Sequence, residues 1–409
     1  MKRMMWLGCL SYFLIGCAHV ASGAVLRVML EHYELGYDQG GVLIFLQFTG
    51  FLIGVLTGPW WSAKLSRRGA LTLSLVCLTV AEGAYSLLPP WPLMLTAAPV
   101  AGFGFGMIEA VIGALVIDAS SEAQKATLFS RLEVLFGAGA LAMPLLAGMF
   151  IELESWRLSF AAVAGFALAM TGLWLVMPMG RLEPIMRHRE GQSGGEAPAG
   201  AGCPAASPPG GLQKQGTVLL VLFLAIFALY VGIEMSLVNF LPSMLVESLS
   251  TDDATASMSV TFFWVAMTVG RLYAGALAKR LTYGGYLLSH VLAAVVLLGL
   301  LLAADRLWSL LALISLLGIF MSGMFAIALI YANQVLPGRT ERLTSLLIAA
   351  GGLGGALLPL FTGWSLKVSS VFGTLGVLTG LMALLLVLLA AIRWLEGQKQ
   401  KRRTEGAVL

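Results

Sequence analysis

Glu109 lies at the end of GFGFGMIE, within GFGFGMIEAVIG (102–113), inside an apolar run. An ionised carboxylate at bilayer depth costs at least ~2.5–3.5 kcal/mol on insertion scales. Taking up a proton removes that cost. A group that protonates on one side of a membrane and releases on the other couples proton flow to a second event. The plainer alternative is a neutral Glu bonded to a backbone carbonyl or a Ser. The glycines at 102, 104 and 106 do not fit a nucleotide site, which needs them between a strand and a helix. In a continuous helix they suit close approach to a neighbour.

Other candidate groups are spread along the chain. His19 has the side chain whose charge changes near neutral pH, and reads as a proton relay or as a partner bonded to a neighbour. Tyr230 and Glu234 are four residues apart and share a helix face, and Asn239 follows. With Gln47 and Trp264 they are the candidate substrate contacts, although core packing is the plainer role for Trp264. Arg271, paired with Glu133 or Asp118, is expected to clamp two parts of the protein together. Glu82 has no obvious partner in the sequence. Cys9, Cys17, Cys77 and Cys203 form no pairing pattern and the four histidines are scattered, so no disulfide and no metal site are expected. There is no GxxxxGK[ST] and no HExxH, so neither an enzyme nor a cofactor is expected.

These groups sit in a chain of 409 residues that is 58% hydrophobic and 11% charged. A soluble chain carries about 25% charged residues. Apolar runs bounded by charges, Pro or Gly predict twelve membrane spans, an all-α protein: 5–30, 40–62, 69–89, 92–118, 127–150, 156–178, then 216–242, 254–276, 284–304, 307–331, 341–364 and 370–396. Residues 179–215, rich in Gly, Pro, Ala and charge, read as a flexible linker between residues 1–178 and 216–409. The first 25 residues resemble a secretory signal, but they have a counterpart in the second half, which argues for a retained span.

Of the 25 Lys and Arg residues, only Arg27, Arg157, Arg306 and Lys367 fall on the side away from the termini, and Arg271 lies within a span. This bias places both termini and the linker in the cytoplasm. The net charge of +4 then reflects topology, not nucleic-acid binding.

An offset of about 216 residues aligns the two halves. Gly16 matches Gly232, and Gly50, Gly54 and Gly58 match Ala266, Gly270 and Ala274. Gly106-Met107 matches Gly323-Met324, and GAGALAMPLLAG (137–148) matches GGLGGALLPLFTG (351–363). Two similar six-helix bundles about an axis along the membrane normal, with a site between them, are one architecture of secondary transporters.

This layout resembles the major facilitator superfamily over nearly the whole chain. SAKLSRRG (62–69) and LAKRLTYG (277–284) resemble its loop signature without the usual acid, with Ser62, Ala63 and Lys279 near that place. FLQFTGFLIG (45–54), GFGFGMIEA (102–110), FALYVGIEMS (227–236) and FFWVAMTVGRLYAG (262–275) resemble the fucose permease-like branch. That resemblance implies a sugar or related solute imported with protons. It also implies a span-4 Glu that handles the proton, which Glu109 matches, and a span-1 Asp, whose place falls near Gly23 with no acid nearby. It further implies that spans 1, 4, 7 and 10 line the cavity.

The residue inventory points elsewhere. Asn239 and Asn333 are the only Asn residues, whereas a sugar needs many aligned partners. An apolar cavity with acidic groups suits export of an amphipathic cation, and a non-transporting sensor or scaffold is a third reading. The expected partners are a small-molecule substrate, protons and membrane lipid, with no nucleic acid, and the expected state is a monomer.

Overall fold

A chain in hydrocarbon must satisfy every backbone polar group within itself, and helices do so segment by segment. The computed structural model describes residues 2–119, 122–178, 183, 186, 214–336 and 340–406, and among these there is no strand. The first half of the chain forms α1 (Lys2–Ala24), α2 (Leu26–His32), α3 (Tyr37–Ser86), α4 (Trp91–Ala119), α5 (Glu122–Glu152) and α6 (Leu158–Val176). The second half forms α7 (Lys214–Leu249), α8 (Asp253–Leu281), α9 (Tyr283–Leu301), α10 (Leu307–Met321), α11 (Met324–Val335), α12 (Thr340–Val368) and α13 (Val371–Gly406). The expected linker, 179–215, lies almost wholly outside the described residues.

Among the described residues, eleven stretches are long and apolar enough to cross a membrane. The longest, α3, is interrupted at Ser66 (φ 74, ψ 162), so it contains two crossings and the total is the expected twelve. The expected first span divides at Val25 into α1 and α2, and the tenth divides at Ser322-Gly323 into α10 and α11. Gly323 has φ 67, whereas its sequence match Gly106 is helical within an unbroken α4. Register is shared there and backbone shape is not. An even number of crossings puts both ends of the chain on one face, here the termini face, opposite the far face.

The internal repeat is visible in the backbone. Ser66 and Thr282, 216 residues apart, adopt nearly the same unusual conformation, the latter at φ 66, ψ 152. Such a residue costs of order 1–3 kcal/mol unless its surroundings fix it. The Ser66 hydroxyl accepts from the Gly69 N–H at 3.4 Å, and the Thr282 hydroxyl accepts from the Gly285 N–H at 3.2 Å. Glu34 (φ 56) and Ser250 (φ 52) form another such pair.

Packing repeats as well. A Cβ on Gly139 would strike the Phe13 carbonyl, and one on Gly354 would strike the Ala228 carbonyl, each 215 residues on. Gly102 stands against the Gln47 carbonyl as Gly318 stands against that of Phe263. Gly102 and Gly106 press on the first crossing of α3, and Gly104 presses on Ser74 in the second. The glycine pattern is therefore a close-packing device on two sides of α4.

Candidate functional site

α1 and α7 meet along the axis that relates the halves. His19 Nε2 lies 3.1 Å from Met235 Sδ, and a Cβ on Gly23 would touch Asn239, so residues 216 apart in sequence are neighbours in space. Around the His19 ring stand Phe48, Phe105 and Phe136, at 5.2, 5.6 and 5.6 Å between centroids and all edge-on. Phe136 lies in turn 6.2 Å from Trp264. Five helices, α1, α3, α4, α5 and α8, thus build one aromatic lining at the seam.

Buried polar atoms without a protein partner occur on this lining or next to it. They are Gln47 Nε2 beside Phe48, Trp264 Nε1, and Asn239 Oδ1 one turn from Met235. The Asn239 amide nitrogen is satisfied by the Met235 carbonyl at 2.8 Å, which orients the free oxygen. A buried polar atom left unpaired costs roughly 1–3 kcal/mol. Two donors and one acceptor are therefore left without a partner among the described residues.

Toward the termini face the expected charged groups come together. Glu109 interacts electrostatically with Glu133. Glu133 Oε2 is 4.0 Å from Arg271 Nη1. The Arg271 charge is felt by Glu234 and Tyr230 as well. A relay of carboxyls and one guanidinium therefore crosses from α4 and α5 to α8 and α7. Tyr12 on α1 was not expected there; its hydroxyl donates to the Glu109 backbone carbonyl at 3.3 Å. Tyr230 donates to the Met321 carbonyl at 2.9 Å, which occupies its proton and ties α7 to the α10 break. The side chain of Asp118 lies outside the described residues. Glu82 is fully buried away from the relay, with neither oxygen bonded, beside the equally unbonded Tyr85 hydroxyl. Among the described residues no group of His, Cys, Asp or Glu is arranged to hold a metal ion.

The seam between the halves closes tightly at the far face. Arg27 reaches Asp253 with Nη1 at 2.7 and 2.9 Å from the two oxygens, and Lys367 reaches Asp38 at 2.9 Å. A Cβ on Gly41 would come within 3.0 Å of the Pro359 carbonyl, and one on Gly363 would strike the Tyr37 carbonyl. Residues 14–26 of the first crossing and 232–245 of the seventh are buried without a gap. At the termini face, among the described residues, the pair that spans the seam is longer, Glu133 and Arg271 standing 4.0 Å apart with side chains 41% and 34% exposed. Sequence reasoning missed the far-face pairs. The signal was present, since Arg27 and Lys367 are two of the four basic residues on that side.

A family model described as Major Facilitator Superfamily matches residues 8–237 and 218–408. The glucose/mannose transporter GlcP of Bacillus subtilis (strain 168) is 32% identical over 392 residues, covering 93% of this chain and 92% of the relative. Bypass of stop codon protein 6 of Saccharomyces cerevisiae is 24% identical, covering 88% of this chain and 76% of its own. Among solved structures, a D-xylose-proton symporter superposes with a TM-score of 0.71 at 14% identity over 95% of this chain and 97% of its own. The nucleoside transporter NupG superposes with a TM-score of 0.73 at 12% identity, over 96% and 99%.

Proposed function

The chain belongs to the major facilitator superfamily, and from that premise we propose that it is a proton-coupled secondary transporter of a monosaccharide. Residues 1–178 and 216–409 are the two moving bundles and 179–215 their connection. The protein is a multi-pass membrane protein. In our reading it works as a monomer in the cytoplasmic membrane, with both termini in the cytoplasm, a placement that the Lys and Arg bias supports.

One observation carries the choice of a sugar: unpaired buried donors and an acceptor, on Gln47, Trp264 and Asn239, alongside a lining of aromatic rings. An amphipathic cation would leave the two donors without partners. A pyranose offers hydroxyls to all three groups and C–H faces to the rings. The similarity to a glucose/mannose transporter favours the same substrate class.

The charge relay supplies the coupling. Glu109 takes a proton and Glu133 shares its field, so loading removes a charge from a site in which Arg271 is the facing cation. With Glu109 ionised, its charge repels that of Glu133 and weakens the hold of Glu133 on Arg271, which Glu234 then keeps on its own half, and the halves are free to rock about the site. With Glu109 protonated that repulsion is gone, and the Glu133–Arg271 pair draws the cytoplasmic seam shut. His19 is a positioning group held by Met235 at the pivot.

The test is proton flux in liposomes reconstituted with the full chain. Addition of glucose or mannose should alkalinise a weakly buffered external medium. Proton movement driven by lipophilic cations, with no response to either sugar, would replace this reading with export. Absence of flux with both would leave a non-transporting fold.

A further inference from the structure

We propose that the groove between α3 and α12 at the far face holds one phospholipid of that leaflet, with a primary-ammonium headgroup of the phosphatidylethanolamine kind. The groove has a volume of 410 Å³ and is lined by Asp38, Val42, Leu357, Leu360, Phe361 and Trp364. Sites for organic ligands run roughly 300–1,000 Å³. The two helices touch at Gly41, where a Cβ would lie 2.9 Å from the Leu360 carbonyl. Asp38 and Val42 from one half, and Leu357, Phe361 and Trp364 from the other, flank that contact as walls. Leu357, Phe361 and Trp364 are exposed and recur at helical spacing. They make an apolar strip about 10 Å long down α12, enough for the upper part of an acyl chain.

The strip ends at a charge pair. Lys367 lies three residues past Trp364, the residue type that anchors helices at the membrane–water interface. Its Nζ is 2.9 Å from Asp38 Oδ2 and its side chain is half exposed. An ammonium has three donors, so two remain for a lipid phosphate. On the Asp38 carboxylate, Oδ1 has no partner, which leaves that group able to accept from a second ammonium. A headgroup with a phosphate and a primary ammonium complements both members of the pair. A trimethylated ammonium has no N–H to give. An anionic headgroup without an amine meets Asp38 and, beyond Tyr37, Glu247, which accepts from the Tyr37 hydroxyl at 3.0 Å. Because the walls belong to different halves, the lipid touches both only while the far seam is shut. A ligand that binds one state better shifts the population toward it, so the lipid favours the far-closed state. Binding needs neither sugar nor proton, so the inference stands apart from the choice of substrate and coupling ion.

The experiment measures lipid binding to the full chain by native mass spectrometry, with phosphatidylethanolamine, phosphatidylcholine and phosphatidylglycerol of identical acyl chains. The first should bind at least about fivefold more tightly than the others, the size of one hydrogen bond to a charged group. Asp38→Asn should remove that preference. Val42→Phe, which fills the groove and leaves its charges alone, should weaken binding of all three lipids. Asp305→Asn, at an exposed acid outside the groove, should change neither. Thiol labelling of Ser243→Cys in a cysteine-free background then reads the far seam in liposomes, since Ser243 is buried. Exchanging part of the phosphatidylcholine for phosphatidylethanolamine should lower labelling about threefold, and should not do so when Asp38→Asn or Val42→Phe is added. Equal binding of the three lipids, tighter binding of phosphatidylglycerol, or a preference that survives Asp38→Asn overturns the proposal. So does labelling that phosphatidylethanolamine leaves unchanged or raises. If Val42→Phe fails to insert, the comparison of Asp38→Asn with Asp305→Asn decides alone.

Discussion

α5 and α8 run side by side along the whole seam, yet their two ends close differently. At the far end Ser257 donates to the Pro144 carbonyl at 3.3 Å and Thr261 donates to that of Leu141 at 3.0 Å. Gly148 there has no room for a Cβ against Met258. At the termini end the same two helices are linked by Glu133 and Arg271 at 4.0 Å, both partly exposed. One end is held by small residues and short hydrogen bonds, which give close packing with little charge. The other is held by ionisable groups whose attraction depends on protonation. A transporter can reverse the second kind of contact with a proton, while the first must be opened by the motion as a whole. In this structure the far end of the seam is the more closely packed of the two.

The largest break of that contrast is expected at Gly41. Gly41→Leu drives a side chain into the Leu360 and Pro359 carbonyls, so the far seam cannot close. Uptake should fall more than about tenfold while the protein still inserts, since the strain is relieved by opening. Thiol labelling of Ser243→Cys in a cysteine-free background should rise in parallel, because Ser243 is buried only while the far seam is shut.

The ion pairs sharpen the contrast by sign. Asp253→Asn weakens the Arg27 latch, side chains 21% and 26% exposed, by about 1 kcal/mol and should raise far-face labelling about fivefold. Arg271→Gln removes a contact that tightens only in the opposite state, so it should lower far-face labelling. Movement of both variants in the same direction would refute the assignment of the two seams to opposite states. Lys367→Gln should have the smallest effect, under about twofold and screened by salt, because its side chain is 54% exposed.

Most of the fold was legible in the sequence. Twelve apolar runs and a 216-residue register gave crossings and pairings, because close helix packing in lipid demands small residues at fixed places. Gly139 with Gly354, and Ser66 with Thr282, show that register in the backbone. The chemistry does not follow it. Glu234 stands where the first half has Ala18, Arg271 where it has Val55, and Trp264 where it has Phe48. A repeat therefore locates the scaffold, and departures from it mark the site. Glu109, Glu133, Glu234 and Arg271 were each visible as charges in apolar runs, but their joining into one relay was not, since it depends on which faces turn inward. Tyr12 was invisible for a simpler reason: a tyrosine in an apolar helix looks like packing until its hydroxyl is seen against Glu109. Glu82 stood out in sequence for the same reason as Glu109 but lies buried beside Tyr85, with neither oxygen bonded.

The most direct measurement of the coupling claim is sugar transport by Glu109→Gln in liposomes, read in two modes on one preparation. The account predicts that exchange persists at a rate near that of wild type while accumulation against a concentration gradient, driven by an imposed pH difference, is lost. Accumulation at the wild-type level in that variant would contradict it.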